Sequence, residues 1–189
     1  MNDMANEYPR TVHLKGKPFE FRLLGQDDRD EMLAFARALP EEDLRFLRVD
    51  LTDPKVVDDW LEGINAGLRI AVVAHLDGRL VGYGSLNRRE SSWMRHLGEI
   101  RIMVLPEVRQ AGLGGHLAHD VFQLAQQIGL TKIVAQMARE QRGARQMFHK
   151  LGFSIEALLA DWVIDPTDAT HDLILMSYDV TGLEAGAGA

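Results

Sequence analysis

The sequence predicts an α/β fold built on a central sheet of mixed direction and flanked by about four helices. Three observations carry this. The apolar runs LRIAVVAHL and RLVGYGSLN are separated by Asp77-Gly78, a hairpin signal that makes them antiparallel neighbours. The strand-like RIMVL passes through the Gly-rich PEVRQAGLGG into a helical pattern, a crossover of the kind that joins parallel strands. Read from end to end, the elements follow the order β-α-α-β-β-β-α-β-α-β-β, in which hairpins and crossovers both occur.

Residues 1–17 are polar and without pattern, and the tail 182–189, GLEAGAGA, is too small in side chain to pack. One domain is therefore expected over 18–181, between two flexible segments that carry no function. PFEFRLL, 18–24, alternates as a strand. Gln26-Asp27-Asp28 leads into a helix with Met32, Leu33, Phe35, Ala36 and Leu39 on its apolar face and Pro40 at its end. The acidic Asp27, Asp28, Asp30 and Glu31 suit the positive end of that helix. A second helix runs from 54 to about 66, capped by Asp53, with Val56, Val57, Trp60, Leu61 and Ile64 on one face and Gly67 beyond it. After the hairpin comes a strand over 97–105, which Pro106 ends. In the next helix Leu113, Leu117, Val121, Leu124 and Ile128 recur every three or four residues, whereas His116, Asp120, Gln123 and Gln127 face elsewhere. TKIVAQM reads as a strand, QRGARQMFHKL as a helix stopped by Gly152, and strands near 154–163 and 173–180 complete the sheet.

Composition narrows the function. At 189 residues, a single domain buries about 70% of the surface its unfolded chain exposes. A net charge of −7 without any run of Lys or Arg argues against nucleic-acid binding, and an acidic surface tolerates a cationic amine. The chain has no cysteine, which excludes disulfides, a thiol nucleophile and cysteine zinc sites and fits a reducing compartment. No apolar run spans a membrane, and MNDMANEYPR has no signal-peptide core; a soluble cytoplasmic protein is expected. His116 and His119 stand three apart on a helix, but no third ligand has zinc-like spacing, so a solvated helix face is the simpler reading and no metal is expected. Ser85, Ser91 and Ser92 have no verifiable His and Asp partners, which leaves serine hydrolase chemistry with little support.

The Gly-rich turn between strand and helix carries the chemistry. Such a turn leaves backbone N–H groups unpaired at the positive end of a helix, where a phosphate or pyrophosphate can sit. Arg109-x-x-Gly112-x-Gly114 lacks the Lys-Ser/Thr pair of a P-loop, and Leu117 stands where a dinucleotide fingerprint has its third glycine. The loop instead resembles motif A of the GNAT superfamily of acyl-CoA N-acyltransferases, an Arg/Gln-x-x-Gly-x-Gly/Ala loop that holds the CoA pyrophosphate. The preceding EIRIMVLPEVR follows the family. So does the later ARQMFHKLGF, which resembles the Asn-x-x-Ala-x-x-Leu-Tyr-x-x-x-Gly-Phe segment of motif B, with Gln141, Ala144, Met147, Phe148, Gly152 and Phe153 at its marked positions. The resemblance covers residues 19–180 and is best over 97–153.

The resemblance implies a GNAT fold and N-acetylation with acetyl-CoA as cosubstrate. By the match, Met103 and Val104 line the strand that pairs with the pantetheine arm, and the backbone near Val104 polarises the thioester carbonyl. Arg109, Gln110, Ala111, Gly112, Leu113, Gly114 and Gly115 surround the pyrophosphate, with Gln141 and Phe148 further along the cofactor site. The alternative for the loop is a helix-entry turn with no ligand.

Acyl transfer to an amine needs a route for the amine's proton. An amine of pKa about 10.4 is unprotonated in only about one molecule in a few thousand at pH 7, roughly 4–5 kcal/mol against attack. Glu99, ten residues before Arg109, lies where many family members carry the catalytic glutamate, and its carboxylate can accept that proton directly or through water. The alternative is a strand-end Glu paired on the surface with Arg101 or Arg95. Phe148 occupies the position of a Tyr that in the family protonates the CoA sulfur, and Phe cannot donate. Tyr83, Tyr178, His149 or water are the candidate replacements.

Two acceptor classes remain, a small-molecule amine and a protein lysine. LPEEDLRFLR, after the first helix, resembles an RF-containing segment of bacterial Pat-type protein-lysine acetyltransferases. The segments 27–66 and 162–173 are expected to shape the choice, and a homodimer is the assembly considered. A non-catalytic acyl-CoA-binding regulatory module of the same fold is the rival reading, supported by Phe148 and opposed by Glu99.

Overall fold

The computed structural model describes residues 7–47, 49–88 and 93–180. The first six residues, Ser91, Ser92 and the tail 182–189 lie outside the described residues, and the expectations placed on them with it. The strands are β1 (Arg10–Leu14), β2 (Lys17–Leu23), β3 (Arg69–Leu76), β4 (Arg79–Arg88), β5 (Leu97–Val104), β6 (Lys132–Ala138), β7 (Ser154–Ile164) and β8 (Thr170–Asp179). The helices are α1 (Arg29–Arg37), α2 (Glu41–Leu44), α3 (Pro54–Asn65), α4 (Leu113–Gln127) and α5 (Arg142–Lys150), with single 3-10 turns at Gln26–Asp28 and Pro106–Val108. They form one eight-stranded mixed sheet of order β1-β2-β3-β4-β5-β6-β8-β7.

Two elements were not anticipated from the sequence. Residues 10–14, within the segment expected to be patternless, form an edge strand in register with β2, from Arg10 opposite Phe21 to Leu14 opposite Lys17. Lys15 and Gly16 turn it with φ of 48° and 79°, as Asp77 and Gly78 turn the central hairpin with 52° and 75°; both dipeptides supply the paired positive φ of a tight hairpin turn. The strand is anchored at its start. Tyr8 donates to Asp120 Oδ2 at 2.7 Å and Arg10 pairs with the same carboxylate, so Asp120 is wholly buried on α4 as a charge with its partners present. The second addition is α2, a single turn within LPEEDLRFLR.

The two faces of the sheet are covered by different helices. Phe35 of α1 and Trp60 of α3 each meet Tyr83 of β4 edge-on, with centroids 5.7 Å apart. On the other face α4 lies directly on β4: a Cβ added to Gly84 would stand 3.0 Å from Val121 Cγ2 and 3.1 Å from Leu117 O. A side chain here would have to push its neighbours back by a few tenths of an ångström, and glycine lets the helix lie this close. One core cluster joins β1–β4 to α1, α3 and the start of α4, and a second joins α4 and α5 to β5, β6 and β8.

Among the described residues the pairing of β5 with β6 is the one parallel contact in the sheet, and it is short, running from Leu97 opposite Lys132 to Glu99 opposite Val134. Beyond that point β5 stays with β4 as far as Val104 opposite Gly82, and β6 stays with β8 as far as Ala138 opposite Leu173. The two middle strands therefore part, and the sheet opens a wedge between them.

Candidate active site

The wedge is lined by backbone. Leu105 N–H donates to Val81 O at 2.9 Å, which places Leu105 in a hydrogen-bonded pair with β4. Alternate residues of an antiparallel pair face the partner strand, so Met103 and Arg101 also turn their peptide groups to β4, and those of Val104 and Ile102 point into the wedge. An unpaired strand edge is a template for an extended, amide-bearing ligand. Of Met103 and Val104, only Val104 presents its peptide groups there. Ile102, which the sequence reasoning did not name, turns its peptide groups the same way, and the two-residue period of a strand is the signal that pairs it with Val104.

At the wide end of the wedge the chain turns from β5 into α4. Gln110 and Gly112 hold φ of 65° and 88°, conformations that aim successive amides outward at the helix start, and no side chain caps α4. A Cβ added to Gly112 or Gly115 would meet nothing within 4 Å, whereas one on Gly114 would stand 3.0 Å from Met147 Sδ of α5. The first two glycines thus leave open space at the positive end of the helix, room that a pyrophosphate suits, while Gly114 lets α5 close against α4. Leu113 is buried in the core and Ala111 is half-buried; both offer the loop main chain. Arg109 is engaged by protein: its Nε donates to Val104 O at 3.2 Å and its guanidinium pairs with Asp43 of α2.

Glu99 is half-buried and occupies the vertex of the wedge, opposite Asn87 on β4 and Val134 on β6. Its strand alternation places it on the face covered by α1 and α3. The remaining motif B positions are arranged less directly. Gln141 stands at the start of α5 and its Oε1 accepts from Ala138 N–H at 2.9 Å, closing the end of β6. Phe148 is only 5% exposed and packs edge-on against Phe153 at 4.9 Å, inside the second core cluster. Met147, its neighbour, is the side chain that faces the loop.

The proposed substitutes for a tyrosine acid are scattered. Tyr83 is enclosed beneath Phe35 and Trp60, and burial pushes its phenol pKa up. Tyr178 stacks on Phe122 at 5.1 Å and pairs with Ile133 at the closed end of the wedge. His149 is exposed on α5. His116 and His119 are exposed on α4, and among the described residues no group of three His, Asp or Glu could hold a metal.

The segment around α2 bridges the wide end. Asp43 reaches Arg109 of the loop, and Phe46 meets His171 of β8 edge-on at 5.1 Å. His171 in turn lies 3.2 Å from Asp165 and 3.3 Å from Glu140, just before α5. These two carboxylates, Asp165 first, raise the imidazole pKa.

The model of the GNAT acetyltransferase family matches residues 30–153. Among solved structures, the chain is similar to the ribosomal-protein-alanine N-acetyltransferase of Brucella melitensis at 22% identity and a TM-score of 0.75, over 84% of this chain and 98% of that one. It is similar to a Salmonella typhimurium acetyltransferase solved with its cofactor acetyl-CoA at 20% identity and 0.75, over 86% and 94%. The GNAT domain of PAT from S. lividans aligns at 13% identity and 0.75, over 90% and 96%. At these identities the likenesses report the fold. A search of curated proteins gave no significant match. The family model spans well over half of the sequence, and the chain belongs to the GNAT family of acetyltransferases.

Proposed function

We propose that the protein transfers an acetyl group from acetyl-CoA to a primary amine, of a small molecule or a protein lysine, by direct attack in a ternary complex. The observation that carries this reading is the parting of β5 and β6 beside an uncapped helix start, which offers a groove for an amide-bearing arm and an open cradle for its pyrophosphate. The amides at the start of α4 would hold the pyrophosphate, with Gly112 and Gly115 leaving it room. The peptide groups of Ile102 and the N–H of Val104, whose carbonyl already accepts from Arg109, would pair with the pantetheine arm. Val104 N–H, aimed into the wedge, would donate to the thioester carbonyl oxygen as charge develops on it.

Glu99 is the proposed base. The amine nitrogen forms its bond to the carbonyl carbon, the carbon–sulfur bond breaks, and the amine's proton passes to Glu99 directly or through water. CoA leaves as a thiolate, which at a pKa near 8.5 is only about 2 kcal/mol uphill of protonation at pH 7. Water can protonate it, and Phe148 need not. A cysteine-free chain suits a reducing compartment, and we place the enzyme in the cytoplasm. Thiol release from acetyl-CoA in the presence of amino acids, polyamines, aminoglycosides and lysine peptides tests the reading. Turnover on an amine supports it, whereas acetyl-CoA binding without turnover on any of them would favour a non-catalytic module.

A further inference from the structure

The face of the sheet that carries Glu99 holds a polar group of side chains without an internal balance. Cross-strand register sets them in three rows: Arg69, Asn87 and Glu99; Ala71, Ser85 and Arg101; Val73, Tyr83 and Met103. Arg69 is accounted for. It donates to Asn87 Oδ1 at 2.5 Å and Trp60 O at 2.8 Å, and lies 4.7 Å over the Trp60 ring. The middle row is different. Ser85 is 1% exposed and its hydroxyl has no partner among the described residues, as is true of the Tyr83 hydroxyl in the next row. Arg101, directly across from Ser85, is half-buried and makes no hydrogen bond or ion pair among the described residues. Burial, with the charge of Arg101 adding to it, holds Arg69 down to about 10. In a chain of net charge −7, two close guanidiniums, one of them half-buried with no ion pair among the described residues, are unusual, because a buried charge is normally paired.

We propose that Arg101 receives an anionic group of the acceptor, and that the acceptor is a zwitterionic amine of the amino-acid type. This rests on the acetyl-transfer reading of the wedge. Arg101 is two residues from Glu99 on one strand, about 7 Å along the same face. An acceptor that presents its amine to Glu99 therefore brings a carboxylate a few bonds away to Arg101, and its oxygens offer the guanidinium a charge-assisted contact that none of the described residues makes. Spermidine or an aminoglycoside would set further cations against Arg69 and Arg101, which costs affinity. A lysine inside a peptide has no carboxylate at that distance. Arg101 thus decides which amines are used, and Glu99 acts on whichever amine is bound.

The test compares free amino acids with their methyl esters, alongside spermidine and a lysine peptide, in acetyl-CoA thiol release and in calorimetric binding to the CoA-saturated protein. The esters' less basic amines favour them chemically, so a preference for acids reports recognition. The expected result is a free acid used or bound at least about tenfold better than its ester, the scale of one charge-assisted contact. Arg101→Gln should collapse that ratio, and Arg101→Lys should keep part of it. Acetyl-CoA affinity and the thermal midpoint report whether each variant is folded. Esters or spermidine matching the acids in the wild type, or an Arg101→Gln protein with the ratio intact, would overturn the proposal. If no compound turns over, acid-selective binding still supports the anion site, its absence overturns it, and failure to bind acetyl-CoA counts against the acetyl-transfer reading instead.

Discussion

Glu99 and the glycines of the loop make separate predictions, because one acts on chemistry and the others on binding. Glu99→Gln keeps size and polarity but accepts no proton. It should lower turnover by about a hundredfold or more with little change in acetyl-CoA affinity, and recover in part as pH rises towards the amine pKa. A variant with wild-type turnover near pH 7 would return Glu99 to a structural role. At Gly115 a side chain meets nothing in the protein, so Gly115→Val should fold normally and yet weaken acetyl-CoA binding by about tenfold or more, roughly 1.4 kcal/mol. Unchanged affinity by calorimetry would remove the loop from the site. Gly112 is a less clean test, because its φ of 88° strains any β-branched replacement irrespective of ligand. Glu99 was singled out in the sequence by the resemblance and its distance to Arg109, and its role as the base remains a proposal that Glu99→Gln tests. The roles of neighbouring side chains were not legible there, because one step along a helix turns a side chain by about 100°: Met147 faces the loop and Phe148 faces the core. Phe148→Tyr should accordingly destabilise the protein by about 1–3 kcal/mol, the cost of a buried hydroxyl left unpaired, without accelerating transfer.

Among the elements, α2 and the β7–β8 hairpin close the wide end of the wedge through Phe46, His171, Asp165 and Glu140, and this contact titrates. His171 is raised above its ordinary 6.5 by Asp165 and Glu140. A raised imidazole stabilises the fold fully below pH 6.5 and loses that contribution as pH climbs through the raised value. The proton resonances of His171 should therefore titrate with a midpoint above 6.5, and Asp165→Asn should bring it down. A wild-type midpoint at or below 6.5 would contradict the arrangement. At the opposite edge, Arg10→Ala leaves the buried Asp120 carboxylate short of a partner and should cost at least about 1–3 kcal/mol in chemical denaturation. Neither contact was legible in the chain order. Asp120 and Arg10 are 110 residues apart, and a five-residue strand of RTVHL has too little apolar alternation to stand out from a tail. The longer helices and the central hairpin were legible because each carries its own period and its own stop signal.

For the molecule as a whole, the mixed sheet and the family could be read from the order of elements and from two motifs. The wedge could not, since no residue marks the point at which β5 and β6 stop pairing; it follows from β4 and β8 each holding one strand while the cores on the two sides diverge. The strand alternation within that wedge is the central claim of the structure, and amide hydrogen exchange on adding acetyl-CoA tests it most directly. The amides of Ile102 and Val104, with those at Gly112–Gly114, should gain protection, while Met103 and Arg101, already bonded to β4, and Gly115, already bonded to Gly112 O, should change little. Equal protection along the whole strand, or none at β5 and the start of α4 under saturating acetyl-CoA, would contradict it.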